Sequence, residues 1–453
     1  MKIGVFSTFI LGIFILFCLG LFCLRHIHTE KIIDQNRSVY IKKTKNGFLL
    51  IRNGTPFFIK GAAGSSNLKE LAEIGGNTIR LYDTINLQEN LDEAAKYDLA
   101  VIIDIPIPAY TRYGNYIDEK ENKVLKQNIK VLVNKYKNHT ALLMWNLGNE
   151  LNYPRVHWKD FIRQNLDRLR FTSTFNDCVE IIQNEDRDHP VLTALWHFRL
   201  IQQYVNIRIF SPELDLVSIN VFGGINNLKN DINVINHIFG QFPFYISEWG
   251  SDGYWETKYT SWGAPIEPTS AKKAEQIKSR YKKIISEINP EDCFGSLVFF
   301  WGNKHERTNT WFSLFEDNFK SEIIKELGKL WNNSESPQKL IGLEYMLVDK
   351  LGASDNLVFS PNEIKYAELK MNDVNTDSIN ISWEIYPEIW DRDDSVTVLD
   401  PRKKVDYFKS FENTKATFLT PVIEGPYRIF AYAYDRQGYF ATTNIPFYVL
   451  NPK

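Results

Sequence analysis

Met144-Trp145-Asn146-Leu147-Gly148-Asn149-Glu150 is an apolar run that ends abruptly on a carboxylate. Further along the chain, Ile246-Ser247-Glu248-Trp249-Gly250 follows the same pattern. A strand that carries a glutamate at its C-terminal tip places that charge at the mouth of a parallel barrel instead of in its core. Two such tips that face one cleft supply the pair of carboxyl groups that cleavage of a glycosidic bond requires.

Strand-sized apolar runs alternate with helical patterns around these two segments. Such an alternation indicates parallel strands joined by right-handed crossovers, and eight units predict a (β/α)8 barrel, or TIM barrel. A doubly wound open sheet is the alternative, but Gly61-Ala62-Ala63-Gly64 is a loose match for its glycine-rich phosphate loop. The runs are Phe57–Gly61, Thr78–Tyr82, Val101–Ile105, Leu142–Leu147, Val191–Trp196, Leu216–Val221, Phe244–Ser247 and Leu297–Trp301.

The periodicity changes after the polar stretch Asn332-Asn333-Ser334-Glu335-Ser336-Pro337, which we interpret as a linker. Beyond it Ile379, Ile381, Trp383 and Ile385 alternate with polar residues, as expected for strands with one buried face. Short strands separated by turns predict a β-sandwich of the immunoglobulin or fibronectin III kind. We therefore assign residues 45–335 to a catalytic barrel and residues 340–453 to an accessory sandwich.

The N-terminus is of a different kind. Gly4 to Leu24 is almost wholly apolar, lies between Lys2 and Arg25, and is long enough to span a bilayer as a helix. We favour an uncleaved transmembrane anchor within residues 1–30, with a cleaved signal peptide as the alternative. The expected location is a membrane-anchored protein whose catalytic domain is exported to the periplasmic or extracellular side.

The bulk composition excludes several function classes. The 453 residues carry a net charge of −2, so no basic excess indicates nucleic acid. Cys18 and Cys23 lie in or beside the apolar N-terminal segment, which leaves only Cys178 and Cys293 elsewhere. Two cysteines make no disulfide framework, and no Cys/His spacing indicates zinc. We expect neither a metal nor a cofactor.

Chemical roles follow from what each carboxyl group needs. One must protonate the leaving oxygen, and Glu150 is the better candidate, since the amide of Asn149 beside it is suited to a sugar 2-hydroxyl. Glu248 is the better nucleophile, because it is expected to stay ionised beside a cation. Arg80, which ends the run Asn77-Thr78-Ile79-Arg80, is the candidate for that cation, with an unrelated salt bridge as the alternative.

Further candidates for sugar binding stand at or just after other predicted strands. Trp301 ends the eighth run, and we expect it to be the floor on which a pyranose ring stacks, although a core tryptophan is the alternative. Trp196 and Asn220 are expected to line the cleft. Trp249, beside the nucleophile, either builds a sugar subsite or packs the loop.

These motifs resemble a known family. Asn138-His139-Thr140-Ala141-Leu142-Leu143 and the following run to Glu150 resemble the acid/base segment of the glycoside hydrolase family 2 barrel. Asn53–Gly61 is similar to that family's hairpin and first strand, and Tyr245–Gly250 to its nucleophile strand. The resemblance implies a retaining mechanism with Glu150 as acid/base and Glu248 as nucleophile. The phrase Asn77–Asp83 is also similar to β-1,3-glucanosyltransferases and family 5 glucanases, so the resemblance leaves the sugar open.

The sequence therefore predicts a retaining β-glycosidase acting on β-linked polysaccharide or oligosaccharide, with β-glucan as one candidate. Two alternatives remain: a transglycosylase that remodels extracellular glucan, and a catalytically silent barrel that only binds carbohydrate. The expected partners are a glycan and, through the N-terminal helix, a membrane.

Overall fold

The structure is a computed structural model that describes residues 37–109, 116, 118–151, 161–333, 341–372, 379–388 and 408–451. The chain forms two compact units. As far as they are described, the first contains the residues up to Ala72, Gly76–Trp249 and Glu287–Val298, and the second contains Glu73–Gly75, Gly250–Ser286 and the residues from Phe299 onward.

The first unit begins with a small antiparallel sheet. Its strands are β1 (Val39–Lys43), β2 (Phe48–Arg52) and β3 (Thr55–Pro56). The turn between β2 and β3 consists of Asn53 and Gly54, whose φ angles are 51° and 78°. Two positive φ angles define the tight hairpin turn that Asn-Gly favours, so this pair sets the register of Ile51 on Pro56.

A closed barrel of eight parallel strands follows. In chain order these are β4 (Ile59–Gly64), β5 (Thr78–Leu81), β6 (Ala100–Ile105), β7 (Leu142–Asn149), β8 (Val191–Trp196), β9 (Leu216–Asn220), β10 (Phe244–Trp249) and β11 (Gly295–Trp301). All eight strands predicted from the sequence are present, with ends that differ by a few residues at most. The prediction of a TIM barrel is therefore confirmed.

The burial of the strands explains why this sequence forms a barrel. Every residue of β5, β6 and β9 is buried, as expected for parallel strands covered on both faces. The barrel closes between β11 and β4, where the amide of Ile59 donates to the carbonyl of Phe294 at 2.7 Å. Gly295 has φ 125°, and a Cβ there would lie 1.9 Å from the Ile59 carbonyl oxygen, so closure requires glycine at this position.

Eight helices are described between and after these strands: α1 (Leu68–Glu73), α2 (Leu87–Lys96), α3 (Glu119–Tyr136), α4 (Phe161–Glu185), α5 (Leu200–Phe210), α6 (Ile225–Phe239), α7 (Ser270–Lys283) and α8 (Glu322–Asn332). Helix α3 illustrates how the sequence sets a boundary. The carboxylate of Asp118 accepts hydrogen bonds from the amides of Lys120 and Glu121, at 2.7 and 3.3 Å, and so caps the first turn. Such a cap contributes about 1 kcal/mol.

The second unit contains two β-sheets that share one core. One sheet has the order β12-β13-β21-β20-β17 with β15 paired to β21, and the other has the order β14-β16-β19-β18. Phe418 of one sheet and Phe447 of the other lie in the same apolar cluster, with their ring centroids 5.9 Å apart. The strands are β12 (Phe315–Glu316), β13 (Phe319–Ser321), β14 (Leu343–Val348), β15 (Val358–Phe359), β16 (Ile364–Met371), β17 (Asn380–Pro387), β18 (Phe408–Glu412), β19 (Lys415–Leu419), β20 (Gly425–Tyr434) and β21 (Tyr439–Val449).

The two packed sheets confirm the predicted sandwich that follows the barrel. The likeness to immunoglobulin or fibronectin III modules stays a prediction. One boundary differs from the expected one. Strands β12 and β13 precede the predicted linker, yet Lys320 of β13 pairs with Tyr439 of β21 in parallel. A strand of three residues carries no usable periodicity, and its partner lies far along the chain, so the sequence gives no sign of this pairing.

A buried polar network joins α7 to the C-terminal strands within the second unit. Lys273 of α7 lies 2.5 Å from Oε1 of Glu267, and both side chains are buried. The amide of Asn444 on β21 donates to Oε2 of the same glutamate at 2.8 Å, and Arg428 on β20 donates to Asn444 at 2.6 Å. A buried charge is stable only with such partners. These contacts therefore hold α7, β20 and β21 together.

Helix α8 contains a carboxyl group that burial makes pH-sensitive. Burial raises the pKa of Glu322 from 4.5 to about 7; Ser270 opposes this rise and Glu326 increases it. The folded chain then binds this proton more tightly than the unfolded chain, so the group's contribution to stability falls as the pH rises through this window. We expect Glu322→Gln to raise the melting temperature at pH 8 by about 3 °C, and to leave it unchanged near pH 4.5.

Glu326 of the same helix provides the control for this prediction. Burial would raise its pKa, but Lys329 and Lys278 outweigh burial and lower it. Glu326→Gln is therefore expected to lower the melting temperature at pH 8 or leave it unchanged. Thermal unfolding at both pH values measures these effects, and a lower melting temperature for Glu322→Gln at pH 8 would contradict the expectation.

Two predictions concern other parts of the chain. Within the described ranges, no helix is long and apolar enough to cross a membrane. The segment from Gly4 to Leu24 and its two cysteines lie outside those ranges, so the anchor stays a prediction. Cys178 and Cys293 are free thiols in buried positions.

Candidate active site

Glu150 stands just beyond the end of β7, where the strand departs from regular geometry. The pairing of β7 with β8 shifts register between Asn146 and Asn149. Gly148 and Glu150 have φ angles of 73° and 51°, and the amide of Glu150 donates to the carbonyl of Ala194 at 3.0 Å. The left-handed conformation costs a non-glycine residue about 1 kcal/mol. A bulge of this kind redirects a side chain, and here it sets the direction of Glu150.

Glu248 lies on β10, which has a register shift against β9 between Ile246 and Glu248. Its side chain is buried, and Oε1 accepts two hydrogen bonds. One comes from Nη1 of Arg80 at 3.0 Å and the other from the hydroxyl of Tyr82 at 2.8 Å. A cation and a hydroxyl donor both favour the ionised form of a carboxyl group over the protonated form.

Arg80 is the centre of the cluster. Its Nε and Nη2 donate to the two oxygens of Asp104 at 2.9 and 2.7 Å, which is the bidentate geometry of a strong ion pair. Burial alone would lower the pKa of Arg80, but the charges of Asp104 and Glu248 outweigh it and hold that pKa well above its ordinary value. Burial raises the pKa of Asp104, and the contacts with Arg80 oppose this rise. Arg80 is therefore a permanent positive charge in contact with Glu248.

Asn220 joins the two glutamates. Its Nδ2 donates to Oε1 of Glu150 at 2.8 Å, and its Oδ1 accepts from Nη1 of Arg80 at 3.4 Å. The hydroxyl of Ser247 also donates to Oδ1, at 2.7 Å, and so fixes the orientation of the amide. A hydrogen-bonded chain thus runs from Glu150 through Asn220 and Arg80 to Glu248, and it brings both carboxyl groups into one site.

Asn149 is oriented by the same cluster. Its Oδ1 accepts from Nη2 of Arg80 at 2.8 Å and from Nδ2 of Asn220 at 3.0 Å. Because a guanidinium can only donate, the atom that Arg80 contacts is the amide oxygen, and the NH2 group points elsewhere. Asn149 is exposed, and within the described part of the chain its NH2 group makes no hydrogen bond. It is suited to donate to a sugar hydroxyl.

The predicted tryptophans differ in exposure. Trp196 is 39 % exposed, whereas Trp249 is 1 % exposed. Trp301 belongs to the second unit, is 0 % exposed, and packs edge-on against Phe315 at 5.1 Å. Stacking on a sugar needs an exposed ring face, so Trp196 is the best placed of the three. The sugar-binding roles of all three stay predictions.

The sequence reasoning did not include Tyr82, Ser247 or Asp104 in the site. Tyr82 lies just beyond the end of β5 and follows Arg80 by two residues, a spacing that places two side chains on the same side of an extended chain, so it was a usable signal. The pairing of Asp104 with Arg80 had no such signal. Arg80 lies opposite Ile102 in the barrel register, and Asp104 comes two residues later on β6, so the pair exists only through tertiary register.

Comparison of the sequence with models of known families and with curated proteins gives no match. Among solved structures, a β-glucuronidase from Bacteroides uniformis covers 91 % of this chain with 14 % identity and a TM-score of 0.51. A second structure, Bacteroides uniformis β-glucuronidase 2 covalently bound to cyclophellitol-6-carboxylate aziridine, also covers 91 % of this chain, with 13 % identity and a TM-score of 0.50.

In each case the aligned part is 48 % of the other chain, so this chain spans about half the length of the structures that it matches. At sequence identities this low, the similarity supports a shared fold and nothing beyond it. At that level the resemblance stated from the sequence is confirmed: the chain shares the TIM-barrel fold of these two structures.

Proposed function

We propose that the chain is a retaining β-glycoside hydrolase that cleaves a β-linked polysaccharide or oligosaccharide by double displacement. The observation that carries the proposal is the hydrogen-bonded chain from Glu150 through Asn220 and Arg80 to Glu248. This chemistry requires two carboxyl groups in one cleft, and both glutamates lie at the carboxyl ends of barrel strands. The fold that the chain shares with two proteins described as β-glucuronidases supports the same reaction class.

The different surroundings of the two glutamates support their roles. Glu248 faces a guanidinium and a tyrosine hydroxyl, which favour its ionised form. Oε1 of Glu150 accepts from the neutral amide of Asn220 at 2.8 Å. A carboxylate held beside a cation is suited to act as the nucleophile, so the second carboxyl group of the pair is assigned as the acid.

The reaction then proceeds in two steps. In the first, Glu248 attacks the anomeric carbon, and the bond to the leaving oxygen breaks as Glu150 transfers its proton to that oxygen. In the second, Glu150 takes a proton from water, the water oxygen bonds to the anomeric carbon, and Glu248 departs as a carboxylate. The NH2 group of Asn149 donates to the 2-hydroxyl, a contact that strengthens in the transition state.

Covalent trapping tests both the reaction class and the nucleophile. We expect a 2-fluoro glycoside with a good leaving group to accumulate as an ester on Glu248. The fluorine slows both formation and hydrolysis of the glycosyl enzyme, whereas the good leaving group restores the rate of formation only. A panel of such 2-fluoro glycosides should include gluco, galacto and uronic sugars. A cyclophellitol aziridine is a second covalent probe of the same residue. Peptide mass mapping locates the label, and a label on any residue other than Glu248 would contradict the assignment.

We also propose that the segment from Gly4 to Leu24 anchors the chain in a membrane and that the catalytic domain is exported. The length of this apolar run and the extracellular occurrence of polysaccharide support the proposal. Fractionation of cells that express the full chain tests it. Recovery of the intact chain in a fraction without membranes would contradict the anchor.

A further inference from the structure

Trp196 lies in the same layer of the barrel as the catalytic cluster. It is the register partner of Asn220 on β9, and Asn220 is in turn the partner of Glu248 on β10. Paired residues of parallel strands point to the same face, so the side chains of Trp196 and Asn220 share the face on which Asn220 reaches Glu150. The exposed ring of Trp196 therefore stands at the rim of the candidate site.

The segment after Trp196 is held so that its aromatic side chains stay exposed. Nε2 of Gln203 donates to the carbonyls of Trp196 and Phe198, at 2.6 and 3.0 Å. Nε2 of His197 lies 2.9 Å from Asp231 on α6. The rings of Trp196 and Phe198 have centroids 5.1 Å apart, and Phe198 is 55 % exposed. Two exposed rings on a hydrogen-bonded backbone make a preorganised apolar platform.

A cation completes this platform. Arg199, with φ 68°, places its guanidinium 4.8 Å from the centroid of the Phe198 ring. It is exposed, and in the part of the chain that the structure describes it makes no ion pair, whereas the neighbouring His197 contacts Asp231. A guanidinium beside an aromatic face is suited to a ligand with an apolar ring face and a carboxylate.

We infer that Trp196, Phe198 and Arg199 form a subsite for an acidic sugar, a uronic acid residue, on the leaving-group side of the scissile bond. The inference rests on the proposed function. It follows from position, because β8 lies directly beside β7, which delivers Glu150, and the acid stands next to the oxygen that departs. The CH face of a pyranose packs on the two rings, and its carboxylate pairs with Arg199.

The test compares substrates that do and do not reach this subsite. The β-glycosyl fluoride of the donor sugar has a leaving group too small to touch it, whereas an oligosaccharide places a sugar there. We expect Trp196→Ala to lower kcat/KM for oligosaccharides about tenfold and for the fluoride less than about twofold. Arg199→Gln should lower kcat/KM about fivefold for a uronic acid leaving group and less than about twofold for a neutral one.

The first unit offers matched controls. Phe58 is 38 % exposed, an exposed fraction similar to that of Trp196. It precedes β4, however, and so lies at the opposite end of the barrel. Arg52 shares with Arg199 a guanidinium beside an aromatic ring, 5.4 Å from the centroid of Phe57, and it also donates to the carbonyl of Thr140. Phe58→Ala and Arg52→Gln should leave all the ratios unchanged. Trp196→Phe keeps a flat ring and should recover most of the oligosaccharide activity, which separates a lost contact from a folding defect.

The outcomes separate this inference from the proposed function. If the parent turns over no glycosyl fluoride in the panel, the proposed function fails and the subsite fails with it. If the parent is active but Trp196→Ala lowers both substrate types equally, or neither, only the subsite is overturned. Equal loss with acidic and neutral leaving groups in Arg199→Gln overturns the assignment to an acidic sugar.

Discussion

Glu248→Gln is expected to lower kcat on the order of 10⁴-fold or more, the largest effect of any single change in this chain. The amide keeps the size of the side chain and its contacts with Arg80 and Tyr82, but it cannot attack the anomeric carbon. KM is expected to change little, because the substitution leaves Asn149 and Asn220 in place. Steady-state kinetics on the parent's best substrate measures both quantities.

The same variant is expected to keep or increase its stability. The carboxyl groups of Asp104 and Glu248 both pair with the guanidinium of Arg80, and removal of the charge on Glu248 leaves the bidentate pair with Asp104 intact. Active sites commonly gain stability when a strained or charged group is removed. A melting temperature equal to or above that of the parent, together with the loss of kcat, separates a catalytic role from a structural one.

Glu150→Gln gives the contrasting control. Acid catalysis matters most when the leaving group is poor, so this variant should lose far more activity on an oligosaccharide than on a glycosyl fluoride. Glu248→Gln should lose activity on both, because the fluoride also requires a nucleophile. The opposite pattern would exchange the two assigned roles, and equal loss in both variants would leave neither role supported.

The barrel could be predicted from the sequence because its strands are short apolar runs with clear ends. Val191–Trp196 coincides with β8, since His189-Pro190 precedes the run and a polar residue follows it. Helix α5 gives a weaker signal. Ile209 is 44 % exposed while Arg208 is buried, so apolar and polar residues do not separate onto two faces.

The two glutamates and Arg80 could be predicted from the sequence, but the hydrogen bonds that connect them could not. Glu150, Glu248 and Arg80 each stand at a strand end, which the sequence marks as the rim of a barrel. That Asn220 joins the glutamates depends on two register shifts, one in β7 and one in β10, and no local pattern encodes a shift of that kind. The exposure of each tryptophan also depends on tertiary packing, which explains why Trp301 and Trp196 differ.

Arg80→Met is expected to have the second-largest effect, on stability as well as on activity. The variant leaves the buried carboxylates of Asp104 and Glu248 without their cation, and removing one partner from a buried pair costs about 3–5 kcal/mol. Without the cation the folded-state pKa of both carboxyl groups rises, so they bind protons more tightly than in the unfolded chain. The loss of stability should therefore be smaller at pH 5 than at pH 8.

Removing the partner as well shows whether charge is the cause. Arg80→Met with Asp104→Asn leaves one buried carboxylate fewer, so it should recover part of the lost stability. It should recover none of the activity, because Glu248 still lacks the cationic donor at 3.0 Å. Denaturant unfolding at both pH values, with kcat measured alongside, follows the two properties separately. If the double variant were less stable than Arg80→Met at pH 8, size and packing instead of charge would explain why arginine stands at this position.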